Sequence, residues 1–171
     1  QNPSVLVMST PITEFMDRVD QPLLQRWVPL NPEEISRVAR LRNPLNHPSV
    51  ILRRSAVLAA GNYRSVPGFE DYELWLRLLA AHGPSALANL PEALVLARVG
   101  PAHLGRRHGW GYAMAEARFL LQCGCRGLLP VWCVIRSLLL RVPLRLLPHR
   151  FLADVMGAIT RRAVPEGQRH D

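Results

Sequence analysis

The sequence contains no lysine, so all 21 of its basic side chains are arginine. A GC-rich genome would be enough to explain that choice, and no mechanism is read from it. Cysteine is scarce: Cys123, Cys125 and Cys133 are too few and too odd in number for a disulfide framework. Cys123-Gly124-Cys125 has neither redox nor zinc spacing, and no second pair exists to complete a metal site. No charge-free apolar run approaches the ~18 residues that span a membrane, and the uncharged stretch 78–91 is broken by Gly83-Pro84. A helix-turn-helix, zinc spacing or aromatic RNA-binding strand motif is also absent, which argues against a nucleic-acid partner. There are no internal repeats. The chain opens on Gln1-Asn2-Pro3, without an initiator methionine or the basic-then-apolar pattern of a signal peptide. An intracellular chain is expected, whose start is a cut rather than a natural beginning.

What remains is a chain of 171 residues, 49% hydrophobic and 20% charged, enough for one domain or a large piece of one. Its charge is unevenly placed. Residues 1–97 hold nine Arg and nine acids, whereas 98–171 hold twelve Arg against Glu116, Asp154, Glu166 and Asp171, and so carry the whole net charge of +8. A neutral front and a basic back imply two different tasks.

The front reads as mixed α and β. Residues 4–15 are extended, with Pro11 confining them to an edge or a bend. Asn31-Pro32-Glu33-Glu34 offers a cap, a proline for the first helical position and two acids for the dipole, opening a helix to about Leu41. A short strand is expected over 48–53 and a short helix from Ser55 to the stop at Ala60-Gly61. After a loop over 62–68, a helix is predicted over 69–82. Tyr72, Trp75, Leu76 and Leu79 make one apolar stripe there, and Glu73 and Arg77 form an i,i+4 pair. Strands are expected over 86–89 and 93–98. The back returns to helix over 106–122, followed by apolar, Arg-bearing segments over 128–142 and 144–159.

Two constellations carry possible chemistry. Glu70-Asp71 follows the Pro67-Gly68 turn at a helix start; either the helix dipole alone explains the acids, or they form a reactive pair at an element junction. Arg42, Asn43, Asn46 and His47 crowd a loop shaped by Pro44 and Pro48; they present donors to a hydroxylated substrate, or the two Asn satisfy their own backbone.

In order along the chain, RNPLNHPSV at 42–50, Arg53-Arg54-Ser55, AGNYR at 60–64, EDYELWLR at 70–77, NLPEAL at 89–94 and Arg98 resemble the second half of a family 2 glycosyltransferase. The likeness covers roughly residues 5–107. It implies an α/β chain with α+β-like character: the C-terminal part of a GT-A fold, followed by basic amphipathic helices. It divides the chain into an acceptor-side half at 1–105, a basic helical region at 106–161 and a flexible tail at 162–171. It also implies sugar transfer from a nucleotide-sugar donor to a glycan or lipid-linked acceptor by inverting chemistry. Asp71 would be the general base, with Glu70 beside it. Arg42, Asn43 and His47 would line the acceptor side or brace the Asp71 loop, and Arg98, Arg106 and Arg107 would contact phosphate or form a solvated basic face. One departure is Gly61-Asn62, where relatives often carry Gly-Gly. The larger departure is the Asp-x-Asp motif, which is absent; Asp17-Arg18-Val19-Asp20 has the wrong spacing. A divalent metal (Mg or Mn) is therefore expected for the complete enzyme, with no ligand set in this chain, which alone would be inactive. The alternative is a non-catalytic basic helical module docking to anionic membrane. In either case the segments over 128–159 lie on a membrane with their arginines at the headgroups, or pack onto the missing N-terminal half with their arginines toward water. The place expected on either reading is the cytoplasm or the inner face of the cell membrane.

Overall fold

Pro11 cannot donate to a strand ladder, and the chain uses it to change sheets. Strand β1 (Val7–Ser9) ends before it and β2 (Ile12–Phe15) begins after it. In the computed structural model, residues 2–100, 108–146 and 161–162 are described. Strand β1 lies between β4 (Ile51–Leu52, antiparallel) and β5 (Leu87–Asn89, parallel), with Val7 opposite both Leu52 and Leu87. Strand β2 lies between β3 (Pro22–Arg26, antiparallel) and β6 (Val95–Arg98, parallel), with Ile12 opposite Arg26 and Val95. Strand β7 (Arg161–Arg162) pairs with the other side of β3. The two strand orders are thus β4-β1-β5 and β6-β2-β3-β7. The neighbours β1–β2 and β5–β6 pass together from one small sheet into the other.

Where the ladders break, side chains take over the backbone groups, as buried polar atoms require. The buried Ser49 hydroxyl accepts from the Thr10 N–H and donates to the Thr10 carbonyl, both at 3.0 Å. Asn46 donates through Nδ2 to the carbonyls of Thr10 (3.0 Å) and Arg26 (3.1 Å). Asn46 is therefore spent on the bend. It neither faces a substrate nor caps its own turn.

The helices are α1 (Pro32–Ala39), α2 (Arg54–Ala59), α3 (Glu70–His82), α4 (Trp110–Cys125) and α5 (Val131–Leu144). The cap expected for α1 forms, the Asn31 side chain accepting from the Glu33 N–H at 2.9 Å. The strand expected over 48–53 shrinks to Ile51–Leu52, because Pro48 lies inside a 3-10 turn over His47–Ser49. Strand β3 was not expected from the sequence. The helix expected over 106–122 is α4, its residues 106 and 107 lying outside the described set, as do 147–159 of the last apolar segment and 163–171 of the tail. Arg161–Arg162, placed by the sequence at the helix-to-tail junction, instead add an edge strand.

Helix α3 is buried on two sides, and this corrects the single stripe read from its spacing. Leu74, Trp75 and Leu78 join Val7, Leu87, Ile35 and Val57 over the first sheet. Tyr72 and Leu76 join Phe69, Phe119, Leu120 and Val134 toward α4 and α5. Gly124 permits a close approach of those last two helices: a Cβ there would meet Val134 Cγ2 at 3.0 Å.

The charges inside this core are paired. Glu116 on α4 is fully buried; Arg145 Nε donates to it at 2.6 Å and Arg141 Nη2 also binds it. Two of the arginines that the sequence allots to a water-facing or headgroup-facing side thus point inward. Removing one partner of such a cluster leaves buried charge uncompensated, at about 3–5 kcal/mol. Glu116→Ala is expected to lower unfolding free energy by about that much, whereas Leu121→Ala, on the exposed side of α4, is expected to change it by less than ~0.5 kcal/mol; urea titrations of both variants measure the contrast. Burial also pushes the Cys123 thiol up to about 12 and raises that of Cys133. Because the thiolate is the reactive form, iodoacetamide at pH 8 is expected to label the exposed Cys125 in the native chain and spare the other two, as read by peptide mass mapping.

Candidate active site

Three pieces of chain converge at the N-terminal end of α3. The first is the helix start itself, where Glu70, Asp71 and Glu73 occupy the positive end of the dipole. The two acids of the expected pair then part company. Glu70 is exposed and turns back on its own loop, its Oε1 accepting from the Gly68 N–H at 3.2 Å. Asp71 is mostly covered, with 19% of its side chain exposed.

The second piece is the 42–50 loop. Asn43 Nδ2 donates to Asp71 Oδ2 at 2.7 Å, while Asn43 Oδ1 accepts from the Leu45 N–H at 3.2 Å. That second bond fixes the amide so that its NH2 faces the carboxylate. His47 Nδ1 stands 3.3 Å from the same oxygen, and half of its side chain is exposed. Asp71 Oδ1 accepts from the Tyr72 N–H at 2.7 Å. An ionised carboxylate has about four acceptor positions. Two are taken by the Asn43 and Tyr72 hydrogen bonds, and His47 borders the oxygen that Asn43 binds, which leaves room for an incoming hydroxyl.

The third piece, the 60–64 loop, brings an aromatic residue that the sequence reading did not assign to the site. The His47 ring lies 5.9 Å from that of Tyr63 and 6.3 Å from that of Trp75, and Tyr63 meets Trp75 edge-on at 6.4 Å. Trp75 is fully buried, as a core residue should be, and forms the floor of this group. Its Nε1 is buried without a hydrogen-bond partner among the described residues. The signal for Tyr63 was the Gly61-Asn62 pair: both residues have positive φ, +86° and +58°. That is where relatives' Gly-Gly would be free of strain, and Asn is the side chain that best tolerates it. Arg77 clamps this bend by donating to the carbonyls of Ala60 and Asn62.

Beneath the loop, the expected Glu73–Arg77 i,i+4 pair forms, as part of a buried hub. Glu73 accepts from Arg77 Nε at 2.8 Å, from Arg64 at 3.3 Å and from Arg126 of α4 at 3.2 Å.

The remaining candidates are elsewhere or differently engaged. Arg42 is half-buried near Tyr72 and Arg141; burial depresses its guanidinium, which makes no hydrogen bond or ion pair among the described residues. Arg98 is exposed on the outer strand β6 and covers the Phe15 ring at 5.4 Å. No hydrogen bond or ion pair links it to Asp71 among the described residues. Arg106 and Arg107 lie outside the described residues. Among the described residues, no group of three or more His, Cys, Asp or Glu side chains is arranged to hold a metal ion.

The chain has relatives among known proteins. The chain is 32% identical over 163 residues to the amylovoran biosynthesis glycosyltransferase AmsE of Erwinia amylovora, covering 91% of this chain and 59% of AmsE. It is 34% identical to an uncharacterized glycosyltransferase of Haemophilus influenzae, over 95% of this chain and 59% of that protein. It is 27% identical to the UDP-Gal:alpha-D-GlcNAc-diphosphoundecaprenol beta-1,3-galactosyltransferase of Escherichia coli, over 95% of this chain and 58% of that enzyme. Its relatives are glycosyltransferases. The chain spans about three fifths of the length of these curated relatives. No family model matches it, and neither does any solved structure.

The Tyr63 phenol is raised first by burial and then by the negative charge of Asp71. A neighbouring anion disfavours phenolate, so Asp71→Asn is expected to bring the Tyr63 titration part of the way back toward that of free tyrosine. NMR titration of 13C-labelled tyrosine measures this without any assay of activity.

Proposed function

We propose that this chain is the acceptor-side half of a family 2, GT-A glycosyltransferase that moves a sugar from a nucleotide diphosphate to an acceptor hydroxyl with inversion, and that Asp71 is its base. The observation that carries the reading is the Asp71 carboxylate held by Asn43 and the Tyr72 N–H, with His47 3.3 Å away and acceptor positions to spare. A sugar hydroxyl is a weak nucleophile, and a positioned base contributes about 10²–10⁴-fold. As the acceptor oxygen bonds to the anomeric carbon, the bond from that carbon to the diphosphate oxygen breaks on the opposite face. The hydroxyl proton passes to Asp71, and the nucleoside diphosphate leaves with the bonding pair.

The half-exposed ring of His47 and the Tyr63 phenol border the carboxylate, and they offer the flat surfaces on which a pyranose rests. Glu70 supports the helix start. Arg42, which feels the charge of Glu34 but forms no ion pair among the described residues, is a cation available to an anionic part of the acceptor. The Escherichia coli relative is named for an acceptor sugar on a diphosphoundecaprenol carrier, so a lipid-linked acceptor at the inner face of the membrane is the reading adopted for this chain. The divalent cation implied by the resemblance finds no donor set among the described residues, and no step above runs through it. On this reading the donor side, with its diphosphate ligands, lies outside these 171 residues, which alone transfer no sugar; that the chain spans 59% of AmsE agrees with it.

In the enzyme that combines both halves, Asp71→Asn is expected to lower kcat by about 10²–10⁴-fold while leaving the thermal unfolding midpoint within a few degrees of the parent. Radiolabelled sugar transfer to a lipid-linked acceptor is the assay. Full turnover by the Asn variant would remove Asp71 from the mechanism.

A further inference from the structure

Helix α5 has two apolar sides. Toward the core it turns Cys133, Val134 and Ser137, with Leu138 and Val142 partly buried against the same cluster, while Arg141 and Arg145 reach in to Glu116. Its other side is apolar too: Val131, Trp132, Ile135, Leu139 and Leu140 face outward and are between 52% and 70% exposed. At about 100° per residue these five spread over roughly half the helix circumference. Single exposed apolar residues are ordinary; a continuous face of them on one helix marks a surface with an occupant.

Charge identifies the occupant. No Asp or Glu occurs between Glu116 and Asp154, whereas that interval holds Arg118, Arg126, Arg136, Arg141, Arg145 and Arg150. With Arg141 and Arg145 turned inward, Arg136 is the exposed cation on α5 itself, set among its outward apolar side chains. An apolar face carrying a cation and no acid is complementary to anionic headgroups over acyl chains. No described helix is long and apolar enough to cross a membrane. The 14 residues of α5 fall short of the ~20 a span requires, so the helix would lie along the surface, with Trp132 at the headgroup level. We infer that the outward face of α5 docks this chain onto an anionic phospholipid bilayer, with Val131, Ile135 and Leu139 inserted and Arg136 among the headgroups.

The inference requires no glycosyl transfer, so it stands or falls apart from the reading of Asp71. The test is co-sedimentation of the full 171-residue chain with vesicles of phosphatidylcholine containing about a third phosphatidylglycerol, against vesicles of phosphatidylcholine alone. Wild type is expected to bind the anionic vesicles preferentially and to lose affinity as salt screens the headgroups. The V131Q/I135Q/L139Q variant, altered only at exposed positions, is expected to bind at least tenfold more weakly with an unchanged far-UV CD spectrum. Arg136→Gln is expected to weaken binding about fivefold. As a second readout, vesicles should shift wild-type tryptophan emission to the blue, and Trp132→Phe should abolish most of that shift. Failure to bind anionic vesicles at low salt, equal binding by the triple variant, or equal binding to neutral vesicles would each overturn the inference. So would light scattering that shows a dimer dispersed by the triple substitution in a chain that ignores vesicles, since the occupant would then be a second copy.

Discussion

Glu73 is a carboxylate taken out of water in the first turn of the central helix, and much of the molecule is arranged to make that tolerable. Burying an ionised group without a partner is prohibitive; burying it with several charge-assisted hydrogen bonds is not. Arg77, nearly as buried as Glu73, carries the central bond, and Arg64 and Arg126 approach from the more exposed side. Those three arginines come from α3 itself, from the 60–64 loop and from the end of α4. One desolvated charge thus ties together a helix, the bend that carries Tyr63 and the first of the two back helices. The same Arg77 holds the Ala60 and Asn62 carbonyls, so the left-handed bend and the hub are one device.

The candidate site uses this rigidity. Asp71 sits two residues before Glu73 on the same turn, with Tyr72 between them, whose hydroxyl donates to the Ala39 carbonyl at 2.6 Å and closes α3 onto α1. A group meant to accept a proton from a diffusing hydroxyl has to be held while its donors stay fixed. Asn43 and His47 meet that need from a loop whose other polar members, Asn46 and Ser49, are tied to the strand bend at Thr10. The division of labour within nine residues is sharp: alternate polar side chains serve the fold and the site.

The back of the chain repeats the device with Glu116, which draws Arg141 and Arg145 inward and thereby turns an apolar side of α5 outward. Phe119 and Leu120 of α4 pack with Tyr72 and Leu76 of α3, so the carboxylate of the site and the outward face of α5 belong to one packed body. A chain seated on a bilayer through α5 would hold Asp71 at a set height above it, which suits an acceptor that is itself anchored in lipid.

Local chemistry wrote part of this plainly. The Asn31 cap, the proline of α1, the Gly83-Pro84 end of α3 and the bend at Pro11 follow from residue types and short spacings, because caps, turns and prolines act within a few residues; the grouping of Asn43 with Asp71, 28 residues further along the chain, was implied only by the family resemblance. Strand β3 was illegible because its two partners, β2 and β7, lie on either side of it and supply the ladder that its own sequence does not advertise. The two-sided burial of α3 was equally hidden: a 3.6-residue period reports which residues are apolar, not how many neighbours a helix has. Likewise the sign of a side chain does not say where it points. Arginine spacing alone allows water, headgroup or core, and the burial of Glu73 and Glu116, set only when distant elements close over them, sends Arg77, Arg141 and Arg145 inward.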